Sequence, residues 1–233
     1  MRRLIFILPL LLSITAVNAK VHVPDSVMHK DGLYVDNMKI YSDSAIFQGV
    51  NLKLDILNPI IYNISSKGEF QTFEMALNVR LKNRFYPTLE MGYAKGQLGA
   101  LDAIWKGEGG WGTVGMDING LKKNIQSLNA LVVGVRVGVA MQQYDLKNIP
   151  DQDGYWPSPA ADFTNLKRTE CWGEVVGGCQ VNVCSGLMMG WYVRLKLLFT
   201  RKAGDNPTPY YVPGFGYRSN TQWGVNYYIG WKF

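Results

Sequence analysis

The last stretch of the chain, residues 220–233, alternates strictly between two kinds of side chain. One set is mainly apolar or aromatic and the other is mainly polar or small: Thr221, Trp223, Val225, Tyr227, Ile229, Trp231 and Phe233 against Asn220, Gln222, Gly224, Asn226, Tyr228, Gly230 and Lys232. A period of two residues is typical of a β-strand, whose successive side chains point to opposite faces. The pattern therefore predicts a long strand between two different environments.

Seven segments upstream show the same alternation, so the sequence predicts eight strands in all. They lie at about residues 46–57, 73–82, 86–95, 111–119, 130–144, 174–183 and 187–197. The fifth is interrupted by Arg136, which a helix would place in hydrocarbon but which a strand turns to the side opposite Val135. The sixth is the least regular, and its Gly177 and Gly178 indicate either a bulge or a site of side contact.

The connections between these strands alternate in length. Along the chain they are long, short, long, moderate, long, short and long, with the longest at residues 145–170 and the last at 200–219. Transmembrane barrels have this asymmetry because their periplasmic turns are short and their extracellular loops are longer. An even strand number also lets the first strand pair with the last. The sequence thus predicts an all-β, eight-stranded antiparallel transmembrane β-barrel with short periplasmic turns and longer extracellular loops.

The charged face of the strands indicates whether the apolar face of the barrel points outward or inward. Alternation alone also fits a soluble barrel, which would bury the apolar face that a membrane barrel displays. Strand lengths near the ~9–11 residues that cross a bilayer, and aromatic residues at strand ends, favour the membrane. We expect an inward, structural charge network of Glu74, Arg80, Glu90, Asp117, Arg136, Glu174 and Arg194. We expect an aromatic belt at the membrane surfaces, formed by Tyr93, Trp111, Tyr144, Trp191, Trp223 and Trp231.

The amino terminus has the parts of an export signal. Arg2 and Arg3 precede an apolar run at residues 4–12, and small residues lead to Ala19. Because that run is far shorter than the ~20 residues of a spanning helix, we expect cleavage after Ala19. Residues 1–19 are then a signal peptide, residues 20–45 a periplasmic lead-in and residues 46–233 the outer-membrane barrel.

The closing strand and Phe233 resemble the last strand and the terminal assembly signal of bacterial outer-membrane β-barrels. With the export signal and the alternating segments, the chain resembles the small, uncharacterised outer-membrane barrels of Bacteroidota over roughly residues 46–233. The resemblance implies a place in the cell outer membrane, contact with its lipid and insertion by the barrel-assembly machinery. It implies an architecture but no chemistry.

The residue types limit what such a barrel could do chemically. Eight strands enclose an interior that side chains can fill, so we expect the inward charges to pair into a plug, with a narrow pore as the alternative. Small barrels that modify lipids or peptides rely on histidine beside Ser or Asp, and this chain has no histidine after His29. We therefore predict no catalytic, cofactor-binding or metal-binding residue, while an enzyme of that kind stays open as a further alternative.

Three cysteines, Cys171, Cys179 and Cys184, leave at most one intramolecular pair. Cys171 and Cys179 are too far apart along one strand to bridge, and no histidine lies near them to complete a metal site. We expect them to be small apolar fillers.

The net charge of +6 is spread along the chain, and an export signal removes it from cytosolic nucleic acid, so no nucleic-acid partner is expected. We expect a non-enzymatic barrel that acts through its surfaces, namely residues 145–170, residues 200–219, the lead-in or one lipid-facing side. Other outer-membrane proteins are then candidate partners, as for an accessory subunit of a larger outer-membrane assembly or secretion complex.

Overall fold

The computed structural model describes residues 33–36, 39–42, 46–82, 84–100, 103–121, 129–149, 161–184, 186–200 and 207–233. The predicted signal peptide and most of the predicted lead-in lie outside these residues. Within the lead-in, β1 (Leu33–Asp36) and β2 (Lys39–Ser42) pair as an antiparallel hairpin. The predicted domain boundaries stay predictions.

Eight antiparallel strands form one closed barrel. They are β3 (Phe47–Asp55), β4 (Phe70–Leu81), β5 (Phe85–Ala100), β6 (Ala103–Asn119), β7 (Ala130–Ile149), β8 (Ala161–Cys184), β9 (Leu187–Leu198) and β12 (Thr221–Lys232). Each pairs with the barrel strands before and after it, and β12 closes the ring on β3, with Ile229 opposite Leu54. The predicted all-β fold and closed antiparallel sheet of eight strands are confirmed.

The connections divide the barrel into two ends. We define the lower end of the barrel as the end that carries the connections at residues 82–84, 120–129 and 185–186. Phe233 lies at the same end. The upper end carries helix α1 (Leu57–Ser65) and a small hairpin of β10 (Tyr211–Val212) and β11 (Gly216–Tyr217). The predicted strands left residues 58–72 as a connection, but proline, here Pro59, is tolerated in the first turn of a helix. In the described parts of the chain, no helix is long and apolar enough to span a membrane.

Two predicted long connections are largely strand. The Gly-rich stretch after β5 continues its ladder up to the pair of Ala100 and Ala103, which leaves only residues 101–102 as the connection. Likewise β7 reaches Ile149 and β8 begins at Ala161, so residues 145–149 and 161–170 of this predicted connection lie in strands. These stretches lack the apolar alternation, yet ladder hydrogen bonds need only backbone groups and can extend beyond it.

The outer surface of the barrel carries an apolar band. On β7 every second residue from Leu131 to Met141 is apolar and exposed, and above it the outward residues become Gln143 and Lys147. Ten residue steps of ~3.3 Å along a strand tilted by about 40° give a band roughly 25 Å tall. Arg136, on the opposite face of the same strand, is buried. The barrel thus turns its apolar face outward and its charged face inward.

Candidate functional site

The middle of the lumen holds a cluster of buried charged side chains. Strand parity directs them inward from β4, β5, β6, β7, β8 and β9, and six of the seven predicted network residues meet there: Glu74, Glu90, Asp117, Arg136, Glu174 and Arg194. A glycine helps to make the room. A Cβ added to Gly134 would lie 2.1 Å from Asp117 Oδ1, so glycine at that position is what lets the Asp117 carboxylate occupy its site.

Arg194 is the centre of this cluster. Its Nη1 donates to Glu90 Oε2 at 2.8 Å, and its Nη2 donates to Glu90 Oε1 at 2.9 Å, so the pair is bidentate. The same Nη2 lies 2.9 Å from Glu74 Oε1, and Nη1 lies 3.5 Å from Glu174 Oε2. Tyr228 also bonds Glu74 through its hydroxyl. One guanidinium therefore neutralises carboxylates from three strands.

Arg136 is the second arginine of the cluster that binds Glu90. It forms an ion pair with Glu90 through Nη1 and with Asp117 Oδ2 through Nη2 at 2.7 Å. Thr113 Oγ1 donates to Glu90 Oε2 at 2.9 Å. Glu90 thus accepts from both arginines and a hydroxyl, which is the degree of pairing that a buried carboxylate needs.

Arg80, the seventh predicted network residue, lies apart from these six. It points inward near the lower end and donates to the backbone carbonyl of Gln48. Its position follows from β4, where it lies six residues beyond Glu74 and therefore about 20 Å lower along the strand.

Several inward residues were not among the predicted site residues. Lys53 Nζ donates to the Tyr192 hydroxyl at 3.0 Å, and Lys196 donates to the backbone carbonyl of Gly214. Glu170, from the stretch predicted as a loop, is fully buried and pairs with Arg168 at 2.5 Å. The inward parity of Lys53 and Lys196 was a sufficient signal, whereas Glu170 required knowing that β8 begins at Ala161.

An aromatic lid closes the upper end of the lumen. The hairpin of β10 and β11 folds inward, so that Tyr211, Val212 and Phe215 are buried against side chains of the wall. The Tyr211 ring lies 5.5 Å from Trp105, and the Phe215 ring lies 5.9 Å from Trp172. Burial raises the pKa of Tyr211 well above its usual range. Part of the predicted outer loop at residues 200–219 is therefore a plug.

The predicted aromatic belt divides into two groups. Tyr93, Trp191, Trp223 and Trp231 lie on the outward face of their strands. Trp111 and Tyr144 point inward and are only 7% and 1% exposed, so their assignment to the outer face was wrong. Both lie in the buried cluster that packs against the lid, and Tyr144 donates to the carbonyl of Pro207 at 2.7 Å. Residues two positions apart on a strand point to the same face, and Trp111 and Tyr144 are two positions from the inward Thr113 and Gln142. This spacing was the signal that could have placed them correctly.

The chemistry available to this site is that of a buried ion-pair core. Within the described residues, no three His, Cys, Asp or Glu side chains are grouped to hold a metal ion. Cys171, Cys179 and Cys184 are unpaired thiols on or near the outer face of β8. The arrangement fills the lumen and rigidifies the wall, and it leaves the cavity at the upper end, described below, as the place where a ligand could enter.

A family model described as Domain of unknown function (DUF6048) matches residues 1–232 of the chain. No curated protein and no solved structure matches it. The match identifies a family and no activity.

Proposed function

The chain belongs to the DUF6048 family, and we propose that it is a non-enzymatic β-barrel of the cell outer membrane with a structural or interaction role. In this proposal it contacts outer-membrane lipid along the apolar band and is inserted by the barrel-assembly machinery. Other outer-membrane proteins are candidate partners, as for an accessory subunit of a larger assembly or secretion complex.

The observation that carries this proposal is the polarity of the wall. Val133, Val135 and Val137 are each more than half exposed, while Arg136 and Glu90 on the inner face are almost fully buried. If this barrel were surrounded by water, its exposed apolar surface would be far larger than the few hundred Å² that soluble monomers tolerate. A bilayer is the environment in which that surface is favourable, and closure of the sheet satisfies the backbone there.

The contents of the lumen favour this role over a narrow pore. Arg194 and Arg136 bridge carboxylates across the full width of the lumen, and the lid of Tyr211 and Phe215 lies above them. Opening a path would separate these buried pairs, and breaking one such pair costs about 3–5 kcal/mol. The lumen therefore contributes stability and shape to the wall.

Surface labelling of intact cells tests the membrane assignment and its orientation together. In a background where the three native cysteines are serines, Lys147→Cys at the upper end should react with a membrane-impermeant maleimide added outside the cells. The matched variant Gly120→Cys at the lower end should react only after lysis. Reaction of Gly120→Cys alone would reverse the orientation, and labelling of neither before lysis, with the protein in the soluble fraction, would refute the outer-membrane location.

Detergent pull-down from native membranes tests the interaction role separately. Reproducible recovery of the same outer-membrane proteins with the tagged chain would support an accessory subunit. Repeated recovery of the chain alone, from cells in which the labelling pattern holds, would contradict the complex while leaving the barrel in its membrane.

A further inference from the structure

The barrel wall is incomplete near the upper end between β12 and β4. The strand that separates them, β3, ends at Asp55: its pairing with β12 stops at Tyr228 and its pairing with β4 stops at Met75. The Ile56 N–H still donates to the Tyr227 carbonyl at 3.0 Å, and beyond these points residues 221–226 of β12 and residues 70–74 of β4 continue upward. Among the described residues, no strand pairs with them on the sides that face each other.

The base of this gap is a defined structure. Both Asp55 carboxylate oxygens accept hydrogen bonds: Oδ1 from the backbone N–H of Leu57 at 3.1 Å and of Tyr227 at 3.1 Å, and Oδ2 from Asn58 at 2.6 Å and Asn226 at 2.9 Å. One carboxylate thus ties the start of α1 to β12 and ends the ladder at a fixed point. The gap above it is therefore specified by side chains rather than left by fraying.

Helix α1 lies over the gap. Tyr62 packs on Phe70 of β4 with ring centroids 5.1 Å apart, and on Tyr211 of the lid at 5.9 Å. Ile60 and Ile64 face away from the barrel and are 54% and 71% exposed. A short helix with exposed isoleucines beside an apolar band is suited to the boundary between lipid tails and headgroups.

A cavity of about 320 Å³ lies beneath the helix, within the range of small-ligand pockets. Its outer part is lined by Ile61, Trp223 and Val225, and its inner part reaches Glu74 and Lys196. It is apolar toward the membrane side of the gap, and toward the lumen it presents the charged groups of Glu74 and Lys196 beside rings of the lid cluster. This order of surfaces matches an amphiphile whose tail stays on the lipid side and whose head reaches the lumen.

The charges at the inner part indicate the sign of the head. Glu74 is already paired with Arg194 at 2.9 Å and bonded by Tyr228. Lys196 donates to the carbonyl of Gly214, and no carboxylate in the described chain lies within 4.0 Å of its ammonium. A buried ammonium with donors to spare attracts an anionic acceptor.

We propose that the gap between β12 and β4 is a lateral binding site for a single-chain amphiphile with an anionic head, which enters from the lipid side beneath α1 and places its head at Lys196. The proposal deepens the membrane role above and rests on it. The shared chemistry is one acyl chain and one acid group, whether it comes from a free fatty acid or from a one-chain anionic lipid.

Binding to the full chain in phosphatidylcholine nanodiscs tests the site. Dodecanoate should bind saturably, with one molecule per barrel above the uptake of empty nanodiscs, and tighter than dodecanol or dodecyltrimethylammonium. Lys196→Gln keeps a donor for Gly214 and should weaken dodecanoate binding about tenfold or more while changing dodecanol binding little. Lys95→Gln, which removes an exposed lysine, is the matched charge control.

Filling the cavity gives a second, charge-independent test. Gly224 faces Lys196 with ordinary space for a Cβ, so Gly224→Phe should fit and abolish binding of both dodecanoate and dodecanol. Gly177→Phe, on the open outer face, should have no effect. Each variant is used only where its band shift on heating in SDS gels shows a closed barrel.

The outcomes separate this site from the membrane role. Absence of saturable dodecanoate binding by the inserted wild-type barrel would refute the site and leave the membrane role intact. Equal binding of the three probes, or unchanged binding by Lys196→Gln, would refute the anionic head. A labelling pattern that removes the chain from the outer membrane would refute the proposed function, whatever the binding result. A lysolipid with an anionic head, compared with dodecanoate, distinguishes the two sources of ligand.

Discussion

Replacing Val135 by arginine tests the outward apolar wall near its middle. Val135 is the fifth of the eleven residues in the β7 stretch from Leu131 to Met141, and its side chain is 63% exposed. Its partners across the two ladders are Met116 and Val175, which also face outward. An arginine on the lipid face of a barrel costs about 2–4 kcal/mol at the bilayer midplane. That corresponds to roughly a 30- to 700-fold loss in the folding equilibrium constant.

The matched control is Gln143→Arg on the same strand and the same face. Gln143 lies above the apolar band and is exposed, so the same side chain there should cost only about 0–1 kcal/mol. Reversible urea unfolding in phosphatidylcholine vesicles, followed by tryptophan fluorescence, gives the free energy of unfolding of each variant. If water surrounded the wall, both substitutions would lie within about 0.5 kcal/mol of the wild type. Equal, small costs for Val135→Arg and Gln143→Arg would therefore refute an outward apolar face in contact with lipid.

Three further predictions concern the lumen. Arg194→Met should lower the free energy of unfolding by about 3–5 kcal/mol, because it leaves the buried carboxylates of Glu90 and its neighbours without enough positive charge. Lys95→Met, which removes one partner of an exposed ion pair, should change the free energy of unfolding little. Urea titration measures both values. Planar-bilayer recordings of the wild type should show no stable open state, and a steady unitary current would contradict the plug. Gly214→Ala should displace the lid hairpin, because Gly214 has a φ of +75° and an added Cβ would lie 2.4 Å from Trp111. The displacement should increase the quenching of tryptophan fluorescence by acrylamide. Unchanged quenching would count against the lid.

Much of the barrel could be predicted because alternation in a strand reports two environments directly. The alternation on β7 predicted that the valines and Arg136 lie on opposite faces of the strand. In the structure the valines are exposed on the outer face and Arg136 is buried on the inner face. The last strand was predicted to close a sheet, and β12 does close it on β3. The inward positions of Glu90 and Arg194 followed from the same parity, and opposite charges directed into one narrow lumen had to meet.

What could not be predicted depends on contacts between distant parts of the chain. The hairpin at Tyr211 and Phe215 has strands of only two residues, so it carries no period, and its inward position is set by rings from other strands. Helix α1 has nine residues and no buried side chain of its own, so its place is set by Tyr62 packing on two other elements. Trp111 was predictable from its strand but was assigned by residue type, and tryptophan serves a membrane belt and a buried lid equally well.

The plug and the lateral gap together limit what the barrel could do with a ligand. Glu74 belongs to both, since it lines the cavity and also binds Arg194, so the floor of the cavity is the top of the ion-pair cluster. A molecule that entered beneath α1 could continue toward the lower end only by separating Arg194 from Glu90 and Glu74, at a cost of several kcal/mol. Leaving by the lipid side breaks no such pair. In the proposed membrane role, the geometry therefore favours a site that takes up and releases its ligand from the same leaflet over one that carries the ligand through the barrel.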